Sequence, residues 1–170
     1  LGGGELPAIG GVPATGQTTA YGAGSDGDLE SGSSRAFTDH GDGTVTDNVT
    51  GLMWEKKSDD GSIHDKDKTY TWSTGTNNMD GTIVTTFLAA LNGGGGFAGH
   101  TDWRIPNRSE LATLTDLEAT IPMTYPEFND SCTGGCTVTT CSCTRSVPFS
   151  AFYWSSSSIQ IVPTNAWLVD

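Results

Sequence analysis

The 170-residue sequence predicts an α+β domain with short, mainly antiparallel strands, two helices and long loops. Three observations lead there. Glycine, Thr and Ser are plentiful while charged residues make up only 16%, a composition of turns and strands rather than of a helical bundle. Strand-like alternation comes in short runs separated by Asp-Gly, Asn/Gly and Pro turn chemistry. Apolar residues at helical spacing recur between Ile83 and Leu91 and again after Asn107.

In chain order, residues 1–35 hold little that could build a core. They read as an extended Gly/Pro/Thr-rich arm or linker with scattered apolar residues (Leu6, Ile9, Val12) and an acidic patch at Asp26, Asp28 and Glu30. The folded domain is expected over 36–170, long enough for one core. Phe37 to Lys56 reads as three strands joined by turns at Gly41-Asp42-Gly43 and Asn48-Val49-Thr50-Gly51, with Trp54 entering the core. Asp39, Asp42 and Asp47 suggest calcium, but their spacing is not that of an EF-hand loop and Asp-Gly is hairpin chemistry, so no metal is assigned. Ser58 to Lys68 reads as a solvated charged loop. Ile83, Phe87 and Leu91 predict a helix from about Gly81 to Asn92, ended by Gly93 to Gly96 with a left-handed cap.

The chain is organised around Thr101 to Leu111. Trp103 and Ile105 alternate with Asp102 and Arg104, predicting a strand that Pro106 stops, since proline offers no N–H to a ladder. Asn107 follows as a helix N-cap, Glu110 sits three residues on where a capping-box carboxylate reaches back, and Leu111, Leu114 and Leu117 give the helix its stripe.

Ile121 to Ser150 reads as loop and carries Cys132, Cys136, Cys141 and Cys143. No two-residue gap separates any pair, so zinc chelation is disfavoured against two disulfides that pin the loop. All three pairings stay open, with the nested one, Cys132–Cys143 and Cys136–Cys141, preferred. Phe152 to Val162 and Asn165 to Asp170 read as two strands joined at Pro163-Thr164-Asn165, placing Trp154 and Trp167 in the core.

Trp103-Arg104-Ile105-Pro106-Asn107-Arg108-Ser109-Glu110-Leu111 resembles the signature of the Lcl C-terminal domain family, found at the ends of bacterial collagen-like adhesins and in other secreted bacterial proteins. Phe37 to Trp54 and Phe152 to Ser157 with Asn165-Ala166-Trp167 fit the same family, so the resemblance runs from about Thr15 to Asp170. It implies a C-type-lectin-like fold, since the Arg-hydrophobic-Pro…Glu-Leu turn is similar to one in such folds. It also implies a scaffold role for Trp54, Trp103, Arg104, Pro106, Asn107, Glu110, Trp154 and Trp167.

The net charge of −12 argues against nucleic acid, anionic membrane surfaces and the sulfated polysaccharides that a likeness to adhesins would suggest. No run of apolar residues is long enough for a transmembrane helix. Leu1 is not an initiator Met and no leader pattern follows it, so a mature product is expected, and clustered cysteines favour a secreted or cell-surface location. Gly24-Ser25-Asp26-Gly27 lacks nucleophile-elbow spacing, and His40, His64 and His100 have no triad partners nearby in sequence. The expectation is therefore a non-catalytic binding or adhesion module without a cofactor. Its partner would be a neutral glycan or a surface protein, met by the loop residues Asn77, Asn78, Ser156, Ser158 and Asn165. The alternative is a self-assembling subunit of an extracellular filament or layer. Leu6, Ile9 and Val12 of one copy would then add a strand to an edge left open where the chain stops at Asp170.

Overall fold

A computed structural model describes residues 11–145 and 152–169, so Leu6 and Ile9 lie outside the described residues. The fold is mixed, with short antiparallel strands and few helices. Strands β1 (Phe37–Asp39), β2 (Thr44–Asp47) and β3 (Met53–Glu55) form an antiparallel sheet in that order, and β4 (Tyr153–Ile159) pairs with β5 (Val162–Val169) in a separate hairpin. The carboxylates of the first sheet work as turn residues. Asp42 accepts from the Thr44 backbone at 3.0 Å, and Asp47 accepts from the Val49 backbone at 2.9 Å and the Thr50 hydroxyl at 2.6 Å.

Two apolar clusters hold the domain. The first gathers Ile83, Phe87, Leu91 and Ile105, with Trp103 and Trp154 packed on it; the second gathers Val45, Tyr125 and Phe128, with Phe37, Trp54 and Leu114 beside them. The predicted helix is π-helical over Ile83–Leu88 and continues as α2 (Ala89–Asn92). Gly93 is extended rather than left-handed, and the first positive φ, +60°, falls on Gly94. Helix α3 (Arg108–Ala112) opens with the full capping box: Asn107 Oδ1 accepts from the Glu110 backbone at 2.9 Å, and Glu110 accepts from the Asn107 backbone at 2.8 Å.

Several expectations need correction. Trp103 and Ile105 do not lie in a strand. Their segment is extended, and the Asn92 amide takes the place of a neighbouring strand, accepting from Trp103 N at 2.8 Å and donating to Trp103 O at 2.9 Å. Helix α3 ends at Ala112, well short of Leu117, which is exposed. The second hairpin turns at Gln160-Ile161, not at 163–165, so Pro163 and Asn165 belong to β5. Trp167, expected in the core, is 49% exposed and lies under the Arg108 guanidinium at 5.3 Å. The alternation of β5 explains the error: Ala166 faces inward and its neighbours Asn165 and Trp167 face out. Ser58 to Lys68 is not simply solvated, since Ser58 and Asp65 are buried and Asp65 accepts from the Gly61 and Asp67 backbones.

Residues 11–35 also differ from a free arm. Ser33 bridges to Pro13, its N–H donating to Val12 O at 2.8 Å and its carbonyl accepting from Ala14 N at 2.9 Å; α1 (Asp26–Leu29) follows a tight turn, and Thr15 O accepts from Leu117 N at 3.0 Å. Glu118 accepts from the Thr18 and Thr19 backbones at 2.9 and 3.0 Å. Few apolar residues are needed for this docking because backbone groups supply the bonds. Val12 itself is 81% exposed.

Candidate functional site

The disulfides shape one wall of an open polar groove. Cys132 pairs with Cys143 and Cys136 with Cys141, the nested arrangement. The cross-linked loop is stitched to the segment after β3: Cys143 N donates to Lys57 O at 2.9 Å, Asp59 N to Cys136 O at 3.0 Å, and Gly135 N to Asp59 O at 2.6 Å. A two-way backbone bridge joins Asp130 and Ser142 at 2.9–3.0 Å, and the loop's root is fixed in the second core cluster by Tyr125 and Phe128.

An open groove of about 370 Å³ runs between this loop and the first sheet, lined among others by Asp39, Lys56, Glu127, Asp130, Thr140 and Ser142. Lys56 is the buried anchor of one wall, its side chain 7% exposed and its Nζ 2.7 Å from Asp39. Burial pushes the Asp39 carboxyl upward, but the Lys56 ammonium and the Gly41 N–H outweigh it and hold the pKa below the usual value. The groove thus offers hydroxyls that give and accept, carboxylates that accept, and a wall that two covalent links keep from collapsing. Such a lining suits hydrogen bonding to a hydroxylated or amide-bearing surface.

The predicted contact residues sit elsewhere. Asn77 and Asn78 are exposed in a loop organised by Asp80, which accepts from Thr74 and Thr76. Ser158 and Asn165 are exposed on the second hairpin, and Ser156 is half-buried, its N–H donating to Pro106 O at 2.8 Å. None of these five lines the groove. Lys56 does carry a sequence signal: it lies two residues after Trp54 at the end of a strand, hence on the same face. Trp72 was missed as well. It is 3% exposed and its indole N–H donates to Ser155 O at 3.1 Å, a pairing across 83 residues that no local pattern announces.

The remaining polar clusters have internal partners. Carboxylate oxygens of Asp59, Asp65 and Asp67 converge, but Lys66 already bridges Asp59 and Asp67 at 2.9 and 2.7 Å. The cysteines that converge are consumed in disulfides, and disulfide sulfur is no thiolate ligand. His64 Nδ1 lies 2.6 Å from Glu55 with its ring against Phe97, His40 bonds Thr46 at 2.8 Å, and His100 meets Trp103 edge-on. Trp103 and Trp154 each spend their indole N–H on a backbone carbonyl, Phe97 O and Tyr70 O, which marks them as framework.

No helix among the described residues is long and apolar enough to cross a membrane. No curated protein and no solved structure matches the chain. The profile of the Lcl C-terminal domain family does match, over residues 43–170, which takes in β2 through β5, the capped helix and the disulfide loop. The chain therefore belongs to the Lcl C-terminal domain family, a family of bacterial surface and secreted protein domains.

Proposed function

We propose that this is an extracellular, non-catalytic binding module of C-type-lectin-like architecture that attaches to a neutral glycan or a surface protein through the disulfide-walled groove. The observation that carries the reading is the groove itself. Its polar lining stands on one side on a covalently pinned loop and on the other on a sheet-borne Lys56–Asp39 pair. Preorganised polar walls favour a ligand that exchanges hydrogen bonds, because little ordering cost remains to be met on binding. The charge of −12 supports neutral over sulfated chains. A glycan array read with wild type, with Thr140→Trp and with Ser34→Trp, each with and without chelator, tests this. Neutral glycans should bind the wild type, and at least one of them should lose binding in Thr140→Trp while keeping it in Ser34→Trp, which leaves the groove open. Retention of every bound glycan by Thr140→Trp, or preference for heparin at physiological salt, would contradict it.

A second reading, assembly into a filament or layer, draws on the exposed apolar residues of the second hairpin, Ile161, Val162, Trp167 and Leu168. Light scattering on wild type and Trp167→Glu separates the two. Assembly that the substitution abolishes supports the second reading, and a monomer at high concentration in both removes it.

A further inference from the structure

Residues 14–35 contribute to a cleft of their own, most of it upstream of the family match. Where residues 12–35 fold back over Tyr125, they leave a space of about 170 Å³ lined among others by Gln17, Asp26, Glu30, Ser34, Arg35 and Tyr125. That is room on the order of five water molecules, the size of one small ring compound rather than of a polymer.

Two side chains that line this cleft carry buried donors without a protein partner among the described residues. The Arg35 side chain is only 5% exposed; its Nη2 is 3.0 Å from Asp47, but Nε and Nη1 have no hydrogen-bond partner among the described residues. The guanidinium packs against the Phe37–Tyr125 ring pair, 5.0 and 5.4 Å from centroids that are themselves 5.0 Å apart. The Tyr125 hydroxyl is likewise buried and unpartnered. A buried donor with no acceptor costs about 1–3 kcal/mol, more when charged, so these groups call for oxygen acceptors in the cleft.

Charge selects the kind of acceptor. Asp47 already balances Arg35, and Asp26 and Glu30 stand at the lining, so a free anion would meet net negative charge. A cation would face the unpaired N–H groups. A neutral molecule carrying several hydroxyls meets both demands, its oxygens accepting from Arg35 and Tyr125 and its O–H groups donating to Glu30 and Asp26. Burial raises the Tyr125 pKa, outweighing the Arg35 charge, which keeps the phenol protonated and able to donate.

We propose that the cleft between the N-terminal segment and Tyr125 is a binding site for one neutral polyhydroxylated unit, either a free sugar or the terminal residue of a glycan. It uses none of the residues that line the disulfide-walled groove and stands whether or not that groove binds.

The test is NMR on the full chain, following the Arg35 Nε–H resonance while glucose, galactose, mannose and N-acetylglucosamine are added as free sugars and as methyl glycosides. Sodium acetate and sulfate serve as anionic comparisons. At least one neutral sugar should shift that resonance in a saturable way, and the anions should not. Methyl glycosides binding as well as free sugars assign the site to a glycan end; free sugars alone assign it to a soluble sugar. Ser34→Trp, which fills the mouth from an exposed position, should abolish the shift at unchanged melting temperature. Glu30→Gln should weaken binding about tenfold by removing a charged acceptor. Thr140→Trp in the other groove should leave it untouched. The proposal is overturned if no neutral sugar moves the Arg35 signal, if acetate or sulfate moves it instead, or if Ser34→Trp binds as wild type does.

Discussion

Thr101 to Ala112 and Tyr125 to Thr144 contain little regular structure, yet they are held in opposite ways. The first is secured chiefly by bonds that its own sequence supplies at short range, with Ser156 and Ser157 of the second hairpin adding one each to Pro106 O and Arg108 N. Glu110 closes the capping box with Asn107 and takes Arg104 at 2.7–2.8 Å, while Ile105 and Leu111 point into the core and Asn92 pairs the Trp103 backbone. The second has a single 3₁₀ turn, Pro126–Phe128, no capping box and no apolar stripe. It is held by two aromatic anchors at its root and two disulfides at its tip. The difference is between a segment whose order is written locally and one whose order is imposed by distant contacts and covalent closure.

The comparison breaks first at the root of the second segment. Phe128 is 7% exposed and sits edge-on to Phe37 at 5.4 Å. Phe128→Ala is expected to cost about 3–5 kcal/mol in urea denaturation. A midpoint equal to that of wild type would mean that the disulfides alone hold the loop and that its aromatic root is dispensable.

At the tip, chain entropy predicts an order. Removing Cys132–Cys143, which spans 11 positions, should cost about 3 kcal/mol, and removing Cys136–Cys141, which spans 5, about 2 kcal/mol. Paired Cys→Ala variants compared at equal denaturant slope would show it. The reverse order would locate the stabilisation in the native loop, at the seam with Lys57 and Asp59, rather than in the unfolded chain.

What the sequence made legible follows the same division. The Asn107 cap, Glu110, the turns at 41–43 and 48–51 and the Ile83–Leu91 face all rest on spacings of a few residues, where local chemistry decides. Trp167 was misplaced because an apolar run in a strand does not say which face is inward; Ala166, the smaller residue, took the core position. The docking of residues 11–35 was hidden because it runs through backbone bonds and the Glu118 carboxylate, about a hundred positions away. The groove and the Arg35 cleft were illegible for a related reason. Each joins residues from two or more separate stretches of the chain, and neither stretch carries a motif alone.

The first segment should yield to a single short-range substitution. Asn107→Ala removes the acceptor for the Glu110 N–H and is expected to cost about 1 kcal/mol. Asn107→Gly or Asn107→Ser should recover most of it, since either residue tolerates the extended N-cap backbone and serine restores an acceptor. An Asn107→Ala protein as stable as wild type would show that α3 is held by Leu111 and its contacts with the second hairpin instead.

The smallest effect separates the two segments by pH. The hydrogen bond from Arg104 is the largest influence on Glu110, with burial opposing it and the Asn107 N–H assisting, and together they hold the Glu110 carboxyl below its ordinary range. A carboxylate whose folded pKa lies below its unfolded value stabilises the fold fully at pH above the unfolded value, about 4.3, and loses that contribution as pH falls through the folded value. The Arg104 side chain is 57% exposed, so solvent screens the pair and its worth is at most about 1 kcal/mol. The measurement is the stability difference between wild type and Glu110→Gln, followed from about pH 6 down to about pH 3. The difference should be largest near neutrality and should shrink as acid protonates Glu110 in the wild type. Disulfide bonds do not titrate, so the paired Cys132→Ala and Cys143→Ala variant should differ from wild type by nearly the same amount across that range. A Glu110→Gln difference that stays flat with pH would show that the carboxylate acts through shape and the capping geometry rather than through its charge on Arg104.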